Sequence, residues 1–160
     1  MLRIKERITE EYILKFCEVV KILEAEKGAY CIIMRLKYDK KIKIGNLGVF
    51  DFPEGFYVYV GSAMKNLEER ILRHYSSIKK KKWHIDYFLE NAEITKFIVF
   101  PSNKKQECEI AKNLLENGTL IAEKFGSTDC KCKTHLIYFV TKKELSKAIS
   151  QVKKRFKSKK

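Results

Sequence analysis

Arg70 and His74 stand four positions apart in a run that reads as a helix, so they share one face of it. A guanidinium beside an imidazole suits an anionic substrate. The arginine can clamp a phosphate through two parallel N–H groups, and the histidine can hydrogen-bond it or move a proton. Arg73 follows Arg70 by three and can add a phosphate contact; the plainer alternative is a solvated basic face paired with Glu69. Tyr30 and Tyr59 each sit in a short β-prone run, where tyrosine is most simply a strand aromatic. His84 and Asp86 flank Ile85, and Asp86 can ligate a metal, partner His84 or cap a helix.

A carboxylate for a divalent cation can be sought by periodicity. In a helix over residues 103–116, Cys108, Ile110, Ala111, Leu114 and Leu115 form one apolar arc at about 100° per residue. Glu107 falls inside that arc, whereas Glu109 points away beside Lys112 and Glu116. A carboxylate on an apolar face costs free energy unless it is paired, metal-bound or at the edge of a site. Glu107 is therefore the candidate ligand for Mg2+ or Mn2+, cations that one carboxylate can hold together with waters and phosphate oxygens. The alternative is that Glu107 only complements the helix dipole. A second metal possibility is Cys130, Cys132 and His135 in a C-x-C-x-x-H run, with Cys108 or His84 completing a tetrahedron for Zn2+. That spacing is no standard zinc module, and the preferred reading is that the two cysteines pack in a tight loop.

These side chains need elements to position them. Residues 8–26 have the spacing of an amphipathic helix, ended by Gly28. Residues 29–36 (AYCIIMRL) and 56–60 (FYVYV) are strands, with a polar turn at 39–41 and further strand over 43–52, interrupted by Gly45 and Gly48. Asn66-Leu67-Glu68-Glu69 has the form of a capping box and opens the helix carrying Arg70 and His74. Residues 85–89 read as a short helix, 94–100 as a strand and 103–116 as a helix that Asn103 and Gln106 can cap. Residues 125–134 are irregular, and 136–140 form a last strand. Thr141-Lys142-Lys143-Glu144 is a capping box for a final helix. Short turns between the early strands favour antiparallel pairing. The expected fold is α+β: a small mixed, mainly antiparallel sheet flanked by helices, with extra helices at both ends. The chain divides into an N-terminal helix (1–27), a central domain (28–141) and a basic C-terminal helix and tail (142–160).

Gly28-Ala29-Tyr30, Tyr59-Val60-Gly61 and the helical Arg70-x-x-x-His74, followed by a helix with a glutamate, occur in that order over residues 28–140. In this the chain resembles the GIY-YIG nuclease superfamily, and its Uri-type branch most, through residues 57–63 (YVYVGSA), 83–87 (WHIDY) and 125–136 (FGSTDCKCKTHL). Two departures stand out: Ala29 replaces the family's isoleucine, and Tyr30 and Tyr59 lie 29 positions apart where about ten is usual. The excess, residues 37–55, reads as an inserted hairpin. The resemblance implies metal-dependent hydrolysis of phosphodiesters, in DNA before RNA. It makes Tyr30 the base that activates water, Tyr59 its assistant, Arg70 and His74 the phosphate stabilisers, and Glu107 the metal ligand. A tyrosine near its reference pKa of ~10 is a poor base unless positive charge lowers it, which Arg70 and the metal can supply. Gly61, Ser62, Arg73 and His84 become candidates for nucleic-acid contact.

Charge agrees with a polyanionic partner. The 160 residues carry 34 Lys and Arg against 20 Asp and Glu, net +14. Residues 1–27 are neutral, residues 28–141 carry +6, and residues 142–160 carry +8. Lys153, Lys154 and Arg155 thus read as part of a nucleic-acid affinity element. Other classes compatible with the composition are a non-catalytic nucleic-acid-binding module and a zinc-stabilised interaction protein. No stretch of 18 apolar residues predicts a membrane span, and neither a secretion signal nor an even cysteine framework is visible among five cysteines, so a cytoplasmic protein is expected. Oligomeric state is open at this stage.

Overall fold

The computed structural model describes residues 26–76 and 79–157. The helix expected over 8–26 lies, but for its last residue, outside them. β1 (Gly28–Leu36), β2 (Lys40–Ile44), β3 (Gly48–Phe52) and β4 (Gly55–Ala63) come first, then α1 (Leu67–Tyr75) and α2 (His84–Leu89). β5 (Glu93–Pro101), α3 (Glu107–Leu115), β6 (Thr119–Leu120), β7 (Leu136–Phe139) and α4 (Lys142–Lys157) follow. Five strands form a sheet in the order β5-β1-β4-β7-β6, and β2 and β3 form a separate two-stranded hairpin. Every pairing among the described strands is antiparallel.

β1 lies second from one edge and is buried on both faces, which explains its near-continuous apolar run. Tyr30, Ile32, Met34 and Leu36 face one core with α1, α2 and the hairpin residues Ile42, Ile44 and Phe52. Ala29, Cys31 and Ile33 face the other core, with Ile110 and Leu114 of α3 and Leu145, Ile149, Val152 and Phe156 of α4. The result is a sheet between two helical layers, the α+β architecture anticipated. The expected insertion is the β2–β3 hairpin, but Lys40 and Lys41 belong to its first strand rather than to a turn.

Three local expectations change. Asn66 sits in the left-handed region (φ 54°) with no side-chain cap bond, so the capping box is not formed. α3 begins at Glu107, four residues later than expected, and neither Asn103 nor Gln106 caps it through a side chain. α4 is capped as read, the Glu144 N–H donating to Thr141 Oγ1 at 3.2 Å. Yet it is no separable tail: Ile149, Val152 and Phe156 belong to the second core. Its basic side chains therefore ride on a helix that the sheet requires.

Candidate active site

The register of β1 against β4 is what brings the two tyrosines together across 29 positions. Tyr30 pairs with Gly61, and Ile32 with Tyr59, so both tyrosine rings fall on the face covered by α1. Gly61 is required sterically: a Cβ there would lie 2.5 Å from the Tyr30 ring. The glycine two residues after Tyr59 is thus the space that the Tyr30 ring occupies.

α1 lays His74 over this pair. The Tyr30 hydroxyl and His74 Nε2 are 2.7 Å apart, and the Tyr59 and His74 rings are 6.3 Å apart, edge to face. Tyr30 and His74 are 1 % and 2 % exposed. Burial holds His74 at about 3, helped by the charges of Lys79, Arg73 and Arg70 and opposed by Asp86. Neutral His74 Nε2 can therefore accept a hydrogen bond from the Tyr30 hydroxyl. Burial raises the hydroxyls of both Tyr30 and Tyr59, and Arg70 works against it in each. The lowered tyrosine pKa that a lone base would need is not present; a tyrosine bonded to a neutral imidazole is. His74 Nδ1 is buried without a hydrogen-bond partner.

This burial has a stability consequence. An unfolded histidine titrates near ~6.5, so His74 adds stability that is full above that pH and is lost as pH falls towards 3. His84 and His135 shift the same way, also through burial. Urea unfolding should show stability falling below pH 6.5, and His74→Gln should make that fall shallower by up to about 1.4 kcal/mol per pH unit. An unchanged slope would place the buried proton acceptor elsewhere.

Arg70 donates from Nη1 to the Ser62 carbonyl at 2.9 Å, and its guanidinium lies 4.9 Å from the Trp83 ring centre. It is half-buried, as are Tyr59, Ser62, His84 and Glu107, so these line the accessible side while Tyr30 and His74 lie beneath. Glu107, in the first turn of α3, is near enough to Tyr59 and His135 to bias both electrostatically. Glu109 is exposed, as periodicity required. Glu107 Oε2 is buried and has no hydrogen-bond partner. Such an acceptor calls for a donor or a cation, so the residue fits a divalent metal.

Arg73 is not available in the way expected. It makes a two-pronged bond to Asp86, Nη1–Oδ1 at 3.0 Å and Nη2–Oδ2 at 2.8 Å, and its guanidinium stacks 4.1 Å from the Trp83 ring centre. Asp86 is 0 % exposed and also accepts the backbone N–H groups of Lys82 and Trp83. Burial pushes the Asp86 carboxyl up, but the Arg73 bond and these two N–H groups outweigh it and hold it at about 2. Of the roles open to it, Asp86 thus caps α2 and partners Arg73; it does not partner His84. Trp83 serves as the platform between the two arginines, a packing role. His84 Nδ1 instead accepts the Gly126 N–H at 2.8 Å, which leaves its ring proton on Nε2. Gly126 has φ +68°, and a Cβ there would come within 2.9 Å of the Tyr59 ring.

The sulfur residues converge. One ligand atom from each of Cys108, Cys130, Cys132 and His135 lies within 4.8 Å of the others, a Cys3His set able to hold a metal ion. Soft thiolates favour zinc over Mg2+ or Mn2+. Cys130 and Cys132 are half-buried in this tight loop, Cys130 bonding back to the Ser127 carbonyl, and belong to neither core. His84, the other suggested ligand, is bonded to Gly126 instead. Lys153, Lys154 and Arg155 lie on α4, Arg155 bonded to Asn113 of α3.

An antiparallel sheet between helical layers, with buried tyrosine, histidine and arginine near an unpartnered glutamate, defines a small α+β domain with a polar site on one face. Residues 29–158 match the family described as Domain of unknown function DUF123, and the chain belongs to that family. No curated protein and no solved structure matches it. No helix among the described residues is long and apolar enough to cross a membrane.

Proposed function

We propose that the chain is a metal-dependent endonuclease of the GIY-YIG type, close to the Uri-type branch, hydrolysing phosphodiester bonds in nucleic acid and in DNA before RNA. The observation that carries the reading is the Tyr30–His74 pair beside Arg70 and a buried glutamate oxygen with no partner. In this reading Tyr30 takes the proton of the attacking water while its own passes to neutral His74 Nε2. Tyr59, half-exposed beside them, orients that water, and Arg70 donates to a non-bridging phosphoryl oxygen. The phosphorus–oxygen bond to the water forms as the bond to the leaving sugar oxygen breaks. Glu107 is the residue that would hold Mg2+ or Mn2+, which polarises a phosphoryl oxygen and steadies the developing charge when bound. His84, with its proton on Nε2, and Ser62 are the further groups offered to the phosphate backbone.

The test is incubation of the purified chain with duplex, nicked, branched and single-stranded DNA and with RNA, in Mg2+, Mn2+ or chelator. Cation-dependent cutting that stops with chelator is the expected result. Binding without cutting of any substrate would favour a non-catalytic binding module.

The basic helix has its own expected outcome. Lys143, Lys147 and Lys154 are exposed on α4. Replacing all three by glutamine should reduce the slope of log affinity against log salt by about 0.9 for each phosphate no longer neutralised, with turnover at saturation kept. An unchanged slope would make these lysines a solubility feature.

A further inference from the structure

The loop from residue 121 to residue 135 joins β6 to β7 with no helix or strand of its own. Loops of this length in a compact domain are uncommon and are usually functional. Ala122 and Phe125 anchor its start in the first core, the Phe125 ring lying against Tyr59 and His84, but between residues 126 and 133 it buries no apolar side chain. It nevertheless carries two contacts of the site: the Gly126 N–H to His84 Nδ1, and the passage of Gly126 against the Tyr59 ring. Within the loop, Lys124 Nζ donates to the Cys130 and Cys132 carbonyls at 3.1 and 3.2 Å, and the Lys124 N–H to the Lys133 carbonyl at 2.6 Å. These bonds shape the loop, and the Val60 N–H of β4 donates to the His135 carbonyl at 2.9 Å, but none of them ties residues 127–133 to α3.

The cysteines offer a tie to α3. Cys108 is the second residue of α3, directly after Glu107, while Cys130, Cys132 and His135 belong to the loop. His135 Nε2 is 3.7 Å from both Cys108 Sγ and Cys130 Sγ. A tetrahedral zinc ion with bonds of about 2.3 Å to sulfur and 2.0–2.1 Å to nitrogen has S···N edges of about 3.6 Å and S···S edges of about 3.8 Å. The set therefore needs little movement to close on one ion. No disulfide joins these thiols, and three thiols with one imidazole are the donors of a closed structural zinc site, not of a magnesium site.

We propose that Cys108, Cys130, Cys132 and His135 bind one Zn2+ and that this ion clamps the 121–135 loop to the start of α3, holding Gly126 against Tyr59 and His84. The centre is structural and carries no open position for substrate. The ion itself takes no part in the nuclease chemistry, so the site can be tested apart from that reading.

The full chain, purified with a thiol reductant and without chelator, should contain one zinc per molecule by elemental analysis. Exchange with Co2+ should give the thiolate charge-transfer and visible bands of a tetrahedral site. Cys130→Ser should weaken zinc binding by more than about 100-fold, beyond the 10–100-fold typical of outer-shell changes. Should that variant fail to fold, His135→Cys should keep zinc while altering the cobalt spectrum. Removing zinc from the wild type should speed hydrogen exchange at the Gly126 and His135 amides and leave those of α4 unchanged. Absence of zinc after reconstitution with equimolar Zn2+, or equal zinc in wild type and Cys130→Ser, would overturn the site. Zinc binding with unchanged exchange at those amides would overturn the clamp. A chain that takes up no zinc on reconstitution yet cuts nucleic acid would sink this inference alone, whereas a zinc-loaded chain that cuts nothing would sink only the nuclease reading.

Discussion

Replacing Glu107 by glutamine should lower cleavage at saturating substrate by at least about 10³-fold, with nucleic-acid affinity within a few-fold of wild type. A factor of that size corresponds to about 4 kcal/mol of lost transition-state stabilisation, the scale of a cation acting on a phosphoryl oxygen. The isosteric change keeps the volume in the first turn of α3 and removes only the charge. Glu107 Oε2 is the one buried carboxylate oxygen without a hydrogen-bond partner among the described residues, so no structural bond disappears with it. Glu109→Gln is the control: that side chain is exposed two residues on, and its loss should leave turnover within about twofold. Zinc content should be the same in both variants, which separates an effect on Glu107 from damage to neighbouring Cys108. Full activity in Glu107→Gln, or dependence on Glu109 instead, would remove the metal assignment.

Why Glu107 could be told from Glu109 before any coordinates, while other features could not, has a physical answer. Helical period is a local property, and the apolar arc of α3 is strong enough to orient its carboxylates even though the helix starts four residues late. Sheet register is not local, but Gly61 and the insertion length encode it indirectly: a 29-residue separation shortens to one paired register once residues 37–54 leave with the hairpin, Gly55 pairing with Leu36. The start of β2 was hidden because Lys40 and Lys41 are both exposed and break the alternation that Ile42, Lys43 and Ile44 keep, so they read as a turn. The sulfur cluster was half legible, since Cys130, Cys132 and His135 are adjacent in sequence. Cys108 joins them only because α3 packs beside the loop. The Arg73–Asp86 bond left no pattern, being a tertiary contact across thirteen residues and a loop. Its one advance signal is an aspartate inside the apolar WHIDYFL run, where an unpaired charge would be costly.

Asp86→Ala should destabilise the chain by about 3–5 kcal/mol, because cutting one partner from a buried ion pair leaves the other charge uncompensated. Arg73 keeps 25 % of its side chain in water and Lys79, 3.8 Å from the same carboxylate, keeps 12 %, so the low end of that range is expected. For a domain of this size about 3 kcal/mol lowers the melting temperature by roughly 10 °C. The loss goes beyond one pair. The carboxylate also holds the Lys82 and Trp83 N–H groups, and Trp83 is the surface against which Arg70 lies. Asp86 is held at about 2 while its unfolded value is near ~3.8, so its contribution is full above the unfolded value and is lost progressively as pH falls from there through about 2. That window lies lower than the one assigned to His74 and meets it only at its acid end. The informative partner is Arg73→Ala. If Arg73 exists to hold Asp86, this variant should lose comparable stability, and the double variant should lose less than the sum of the two. Were Arg73 chiefly a phosphate contact, the single variant would instead melt near wild type and lose about one unit of salt slope in nucleic-acid binding. Thermal melts of the three proteins, read beside a salt titration, decide between an arginine that builds the site and one that touches substrate.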